Sequence, residues 1–338
     1  EGEEINMKTI SIGIENNVVA CGCACKYCLL SSEKKSYGGE YYRGKRLAQR
    51  FSDWKLSAGN HLSLCYIVGF CADYPQLSDN ISFNRKLGFP GADFLQCNGI
   101  RIMDNKETTM FVNTLKESGV TRIDTTFFGT QEYHDRFAAR KGDYAFMLHL
   151  TEAAVEAGII CSPSMLLCEE NLGIVGEVFD TLSPIAGAKN IYAFPQDYRG
   201  RGYLLEGVRL TSAGYEMLPL RVKEAFNIKR YKTEAEWLRS PLPEYSQRAI
   251  NIALREDNID MLENMSCDEI ISYVEKLDDD YYLAIPSINE LAELYGDKDN
   301  TRLYRPRDLF WKWQKRYLQD NNIHIHDVTD ERYCGAVR

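Results

Sequence analysis

The sequence lacks the features that would place the protein in a membrane or outside the cell. No run approaches the ~18 consecutive apolar residues that a membrane-spanning helix needs. The first residues, EGEEINMKTI, have neither the basic n-region nor the apolar h-region of a secretory signal peptide. We therefore expect a cytoplasmic protein with no membrane partner.

An excess of positive charge is also missing. The 338 residues include 40 Lys and Arg against 49 Asp and Glu, which gives a net charge of −9. Non-specific binding to nucleic acid depends on Lys and Arg neutralising phosphates, so nucleic acid is not the expected partner. Hydrophobic residues make up 44% of the chain, enough for one large core and a smaller second one.

The cysteines do not suggest a disulfide framework. There are eleven of them, an odd number, in a chain without an export signal, which favours a reducing compartment. Four fall within eight residues, at Cys21, Cys23, Cys25 and Cys28. Clustering of this kind needs a chemical explanation.

Strand and helix patterns alternate through the first two hundred residues. The pattern predicts strands over 8–20, 61–68, 93–97, 121–126, 159–167 and 190–194, and helices over 43–56, 77–87, 107–118, 144–157 and 171–182. Repeated βα units with apolar strands predict an α/β fold with a parallel sheet and helices packed outside it. Periodicity alone leaves open whether the sheet is doubly wound or curls into a full or partial barrel.

After about residue 210 the predicted secondary structure changes from alternating strands and helices to mainly helices. Helices are predicted over 210–226, 244–255, 266–277, 287–295 and 307–320, followed by a β-like run over 323–328 that contains His324 and His326. We therefore divide the chain into a core domain over 8–210 and a mainly helical substrate or lid region over 211–338.

The cysteine cluster has the spacing C-x3-C-x2-C at Cys21, Cys25 and Cys28. Three thiolates on one short loop can bind three irons of a 4Fe–4S cube, which leaves the fourth iron open to another ligand. Cys23 lies inside the first gap, either as a bystander or as a local substitute. A zinc site in a non-enzymatic interaction protein is the alternative, although four ligands on eight residues would strain tetrahedral geometry.

This spacing resembles that of the radical S-adenosylmethionine (SAM) superfamily, whose signature also has an aromatic residue just before the last cysteine, as Tyr27 is here. Further matches to the SAM-binding positions of that family follow in the same order along the chain. They are Gly69 after the second strand, Asn98 in QCNG, Asp124 and Thr126 at the fourth strand, Arg140 within the segment 132–144, and Ser164 on the fifth strand. The acid that commonly follows the glycine at the second strand is absent from Gly69-Phe70-Cys71.

The resemblance implies a partial (β/α)6, TIM-like barrel that uses a 4Fe–4S cluster and SAM. It also implies an oxygen-sensitive enzyme that takes an electron from a flavodoxin- or ferredoxin-type donor and abstracts hydrogen with a 5′-deoxyadenosyl radical. In such enzymes, Arg140 would pair with the SAM carboxylate. The sequence identifies no catalytic side chain beyond these positions.

The substrate class stays open at this point. The segment 132–144 resembles the branch that modifies peptide or protein side chains, which favours such a substrate. Only Cys267 and Cys334 follow residue 210, so the auxiliary clusters of many peptide-modifying relatives are not expected. A small molecule such as a sugar, nucleoside or amino acid is therefore the alternative substrate.

Overall fold

The computed structural model describes residues 9–28, 40–68, 72–198, 200–242 and 248–323. Six residues named above lie outside these ranges: Gly69, Phe70, Cys71, His324, His326 and Cys334. Within them, no helix is long and apolar enough to cross a membrane.

The first part of the chain alternates strands and helices, as the sequence predicts. The strands are β1 (Thr9–Asn16), β2 (Ser63–Val68), β3 (Phe94–Gln96), β4 (Arg122–Phe127), β5 (Ile160–Leu166) and β6 (Tyr192–Phe194). The helices between and after them are α1 (Tyr41–Ser57), α2 (Leu77–Lys86), α3 (Asn105–Glu117), α4 (Gln131–Ala138), α5 (Asp143–Glu156) and α6 (Val175–Ala186). Adjacent strands pair in parallel, which confirms the α/β class.

The parallel strands form two sheets, and those in the described ranges do not close into a full barrel. One sheet contains β1 and β2, and the other has the order β3-β4-β5-β6. At the edge of β2, the Asn84 side chain of α2 accepts from the Tyr66 N–H (2.8 Å) and donates to the Tyr66 carbonyl (2.9 Å). A side-chain amide thus occupies the hydrogen-bonding groups that a neighbouring strand would use.

The helix predicted over 244–255 is wrong, because this segment forms strand β8 (Arg248–Leu254), which pairs in parallel with β1. Residues 249–254 are all buried. A short apolar run that is buried on both faces carries no periodicity that distinguishes strand from helix. A Cβ on Gly13 would lie 2.1 Å from Asn251 Oδ1, so a glycine in β1 lets β8 approach.

The remainder of the chain is mainly helical. It contains α7 (Ser212–Met217), α8 (Leu220–Ala225), α9 (Glu234–Trp237), α10 (Ile259–Asn264), α11 (Cys267–Leu283), α12 (Ile288–Tyr295) and α13 (Pro306–Asp320), with a short antiparallel pair of β7 (Lys232–Thr233) and β9 (Leu303–Tyr304). The single helix predicted over 210–226 is divided at Pro219, which precedes α8 and cannot continue a helix from α7. Among the described residues, 3₁₀ helices cover Ala188–Asn190, Gly200–Val208 and Ile228–Arg230.

The described residues form three apolar clusters, one large and two small, where composition indicates one large core and one smaller one. A cluster beside the cysteines joins Tyr27 to α4 and the end of β5. The large core joins the strands to α1–α3, α5, α6, α8, α10 and the first half of α11. The small core joins α12, α13 and β9 around the fully buried Trp313. Strand β8 comes from the region after residue 210 and pairs with β1, so this region contributes a strand to the sheet of the predicted core domain. The division of the chain at residue 210 stays a prediction.

Candidate functional site

The four clustered cysteines follow β1 on a loop of residues 21–28, here called the cysteine loop. Cys21, Cys25 and Cys28 are partly exposed, whereas Cys23 is buried. All four, together with Tyr27, line one cavity of about 410 Å³. The three cysteines of the predicted cluster motif therefore face a common space.

The first half of the cysteine loop is held through its main chain. The Gly22 N–H donates to the Gly99 carbonyl (2.7 Å), in the turn after β3. The N–H groups of Ala24 and Lys26 donate to the carbonyls of Ala138 (2.8 Å) and Phe137 (2.9 Å), respectively. These carbonyls belong to the last turn of α4, where an α-helix leaves its acceptors without intrahelical partners. The loop thus caps α4, and α4 fixes the loop.

The second half of the loop is held by residues that follow β6. The Gln196 side chain donates to the Tyr27 carbonyl (2.8 Å), and the Arg201 N–H donates to the Cys28 carbonyl (2.8 Å). The Tyr27 ring is buried edge-on against Phe137, with ring centroids 5.3 Å apart. Neither Gln196 nor Arg201 is among the site residues that the sequence predicts, so these contacts with the cysteine loop were not predicted.

A buried carboxylate, Asp143, lies behind Cys23. It accepts hydrogen bonds from His134 Nε2 (3.0 Å), Arg140 Nε (3.0 Å) and the Cys23 thiol (3.6 Å). The Phe128 N–H donates to His134 Nδ1 (3.2 Å), so the Nε2 atom carries the ring proton. Burial pushes the pKa of the Asp143 carboxyl up, but the bond from His134 and the charge of Arg140 outweigh it and hold this pKa below its usual range.

Cys23 differs from the other three cysteines of the loop in its surroundings. Hydrogen bonds with the Cys21 and Cys25 sulfurs, burial and the charge of Asp143 all raise the pKa of the Cys23 thiol. Cys23 is buried and its thiol donates to the Asp143 carboxylate, whereas Cys21, Cys25 and Cys28 are partly exposed.

Arg140, predicted to pair with the SAM carboxylate, lies beneath the cysteine loop. Its guanidinium contacts Asp143 and donates to the Ile100 carbonyl (2.5 Å). A Cβ on Gly22 would lie 2.6 Å from Arg140 Nη1, so the loop passes directly over this side chain. Burial lowers the pKa of Arg140, but nearby acidic groups, Asp143 among them, hold it above its usual value. The contact with SAM stays a prediction.

Three other predicted SAM-binding residues lie close together at the strand ends. Asn98 accepts from the Thr126 N–H (2.8 Å) and donates to the Thr126 carbonyl (3.1 Å), which ties the turn after β3 to β4. The Ser164 hydroxyl donates to the Thr126 hydroxyl (2.9 Å). Asn98 and Thr126 line the same cavity as the cysteines. The structure thus brings together side chains that lie far apart in the sequence.

Asp124 lies two residues before Thr126 on β4, farther from the carboxyl end of the strand, and is buried. The Tyr192 hydroxyl of β6 donates to its carboxylate. Burial raises the pKa of Asp124 to about 6, although the bonds from Tyr192 and Ser164 oppose this rise. Asp124 is not among the described side chains that line the cavity, and its contact with SAM stays a prediction.

The described part of the cavity wall is uncharged. Among the described residues that line it there is no Asp, Glu, Lys, Arg or His side chain. Its polar groups are hydroxyls, the four thiols and five amides, interspersed with aromatic rings; the amides are Asn80, Asn84, Gln96, Asn98 and Gln196. An uncharged surface of this composition suits neutral, planar groups better than free carboxylates or phosphates.

The donor set at the cysteine loop suits an iron–sulfur cluster. In the cube each thiolate binds a different iron, so its ligands need not converge on one atom. Within the described ranges, no three His, Cys, Asp or Glu side chains are grouped as ligands of a single metal ion. Three thiols on one loop, all facing one cavity, are the residues that would hold the cluster here.

No protein-family model matches this chain, and no curated protein matches it. Among solved structures, it is similar to anSMEcpe with bound AdoMet (14% identity, TM-score 0.49, covering 93% of this chain and 100% of that one). It is also similar to Streptococcus suis SuiB, with 13% identity and a TM-score of 0.38 over 56% of this chain and 40% of that one. A third similar structure is coproporphyrinogen III oxidase (HemN) from Escherichia coli, a radical SAM enzyme, with 15% identity and a TM-score of 0.35 over 63% of this chain and 48% of that one. The chain thus spans less than half the length of SuiB and HemN. At these identities and TM-scores, the similarities carry no argument about its activity.

Proposed function

We propose that the chain is a radical SAM enzyme in which Cys21, Cys25 and Cys28 hold a 4Fe–4S cluster. The observation that carries this proposal is that Cys21, Cys25 and Cys28 lie on one loop and line one cavity, while Cys23, which lines it too, is buried and bonded to Asp143. When bound, the cluster and SAM supply a 5′-deoxyadenosyl radical that abstracts hydrogen from the substrate. The protein's own residues supply position and exclusion of water.

We assign different parts of this positioning and water exclusion to different groups of described residues. The end of α4 and the segment after β6 hold the two halves of the cysteine loop. Asn98, Thr126 and Ser164 form a hydrogen-bonded set beside the loop, suited to the hydroxyls of a ribose. The buried Tyr27 and the aromatic rings on the cavity wall keep water from the reacting atoms.

Anaerobic reconstitution with iron and sulfide tests the reaction class. The wild type should become brown, bleach with dithionite, and release 5′-deoxyadenosine when SAM is added. Cys25→Ala should abolish release, because it removes one of three ligands. Cys267→Ala, at a buried cysteine of α11, is the matched control and should keep it. A colourless protein that holds one zinc per chain would instead support the interaction-protein alternative.

For the substrate, we propose a side chain within a peptide or protein. A free amino acid or a phosphorylated metabolite carries charges that cost several kcal/mol to bury without partners. A residue inside a peptide carries neither a free carboxylate nor an ammonium group, which suits a cavity wall whose described side chains include no charged group.

The substrate class can be tested with matched pairs of small probes. N-acetyl amino acid amides, which have neutral ends, are compared with the same free amino acids for their stimulation of 5′-deoxyadenosine release. Stimulation confined to the blocked forms supports a peptide substrate. Stronger stimulation by free amino acids, or by nucleoside monophosphates and sugars, would point to the small-molecule alternative.

A further inference from the structure

The proposed cluster ligands do not account for the fourth cysteine of the loop. Cys23 is 6% exposed and lies between Cys21 and Cys25. Its sulfur is 3.6 Å from Asp143 Oδ2, and Asp143 is itself only 1% exposed. Burying a carboxylate costs free energy unless hydrogen bonds or opposite charges compensate it. We therefore looked for a role of Asp143 in its contact with the loop.

The position of the Asp143 carboxylate is strongly restricted. Arg140 contacts one oxygen, and His134 Nε2 bonds the other, the same oxygen that faces Cys23. The His134 ring is fixed in turn by the Phe128 N–H and is buried against the Phe128 ring, at a centroid distance of 5.0 Å. Charge-assisted bonds of this kind are short and directional.

The turn that carries Arg140 and Asp143 is also rigid. The Asp135 carboxylate accepts from the N–H groups of Gly142 (2.6 Å) and Tyr144 (2.9 Å), which closes the connection from α4 to α5. Asp135 belongs to α4, whose last carbonyls already hold the main chain of the loop. The main-chain bonds of Ala24 and Lys26 and the side-chain bond of Cys23 therefore all go to one rigid unit.

We infer that Asp143 is a positioning residue that fixes the cysteine loop through the Cys23 thiol, so that Cys21 and Cys25 are held ready to bind the cluster. This inference rests on the proposed function. Groups that orient metal ligands without touching the metal contribute strongly to its retention, since a free loop would lose conformational entropy on binding. The hydrogen bond from the Cys23 thiol links the Asp143 side chain directly to the loop.

The rate at which the reconstituted protein loses iron to the chelator bathophenanthroline tests this inference without measuring activity. Cys23→Ala removes the hydrogen-bond donor and leaves all three ligands, and it should lose iron about 10-fold faster than wild type. Cys23→Ser keeps a donor and should stay close to the wild-type rate. Asp143→Asn should lose iron about 10- to 100-fold faster.

A matched control separates positioning from general loss of stability. Glu234→Gln alters a buried carboxylate that bonds Trp313 and Lys312, near the small core and away from the loop. It should lower the melting temperature and leave iron loss unchanged. Cys23→Ala should leave the melting temperature unchanged and lose iron faster. It should also broaden the electron paramagnetic resonance (EPR) signal of the reduced cluster.

Equal rates of iron loss in wild type, Cys23→Ala and Cys23→Ser would overturn the inference while the proposed function stands. A Cys23→Ser protein as labile as Cys23→Ala would also overturn it, because the donor would then have no role. A wild type that assembles no cluster would overturn the proposed function and this inference together.

Discussion

At the scale of single residues, the buried carboxyl of Asp124 links protonation to stability. In the unfolded chain it ionises near its ordinary pKa of 3.8, whereas in the folded protein burial raises the pKa to about 6. Below the lower value both states are protonated and the group has no effect. As pH rises through this interval the folded state loses stability, and above about 6 the loss is constant.

Asp124→Asn should therefore stabilise the protein at neutral pH but not in acid. The gain in the free energy of unfolding should be near zero at pH 3.5 and reach about 3 kcal/mol by pH 7.5. Urea unfolding of wild type and variant at both pH values measures it. A difference that does not change with pH would contradict the assigned burial effect.

Asn98 offers a second test at this scale, because its side chain makes two hydrogen bonds to the main chain of Thr126. Asn98→Ala should lower the free energy of unfolding by about 1–3 kcal/mol and weaken SAM binding. Asn264→Ala, on the exposed face of α10, is the control and should change neither. Loss of stability with unaltered SAM affinity would restrict Asn98 to a structural role.

At the scale of elements, the contact between β1 and β8 depends on the absence of one side chain. Gly13→Ala should destabilise the protein by about 1–3 kcal/mol, because the added Cβ would overlap Asn251. Combining it with Asn251→Ala should recover part of this loss, as thermal unfolding of both variants can measure. Gly207→Ala, where nothing lies within 4 Å of the added Cβ, is the control. No recovery in the double variant would contradict the parallel pairing of β8 with β1.

The βα units were predictable because each has its own local pattern, such as the apolar run of β2 or the Asp104–Glu107 capping box before α3. Strand β8 was not, since its pairing with β1 joins residues more than 230 positions apart. The short helix α4 was also not predicted, because its eight residues are fewer than a helical pattern needs to be recognised, although its last turn holds the cysteine loop.

The candidate site, like the fold, was predictable from the sequence where its features are local and not where they depend on distant residues. The spacing of Cys21, Cys25 and Cys28 is local, so the sequence alone identifies the loop. The roles of Gln196 and Asn84 depend on contacts with distant main-chain groups, which no spacing pattern encodes. The contact of Cys23 with Asp143 joins residues 120 positions apart and was missed for the same reason.

At the scale of the whole molecule, the strands bring a cysteine loop, an amide-lined cavity and a hydrogen-bonded polar set to one place. The loop follows the first strand, and Asn98 and Thr126 lie at the carboxyl ends of β3 and β4. Parallel β/α folds bind their ligands at this edge. The architecture therefore agrees with a cluster that keeps one iron open toward the cavity.

The EPR spectrum of the dithionite-reduced protein, recorded with and without SAM, tests this central claim most directly. A cluster held by only three cysteines has an iron that SAM can bind, so adding SAM should change the spectrum of the wild type. The Cys267→Ala control should respond in the same way. A reduced cluster whose spectrum SAM leaves unchanged, or the absence of any iron–sulfur signal, would contradict the account.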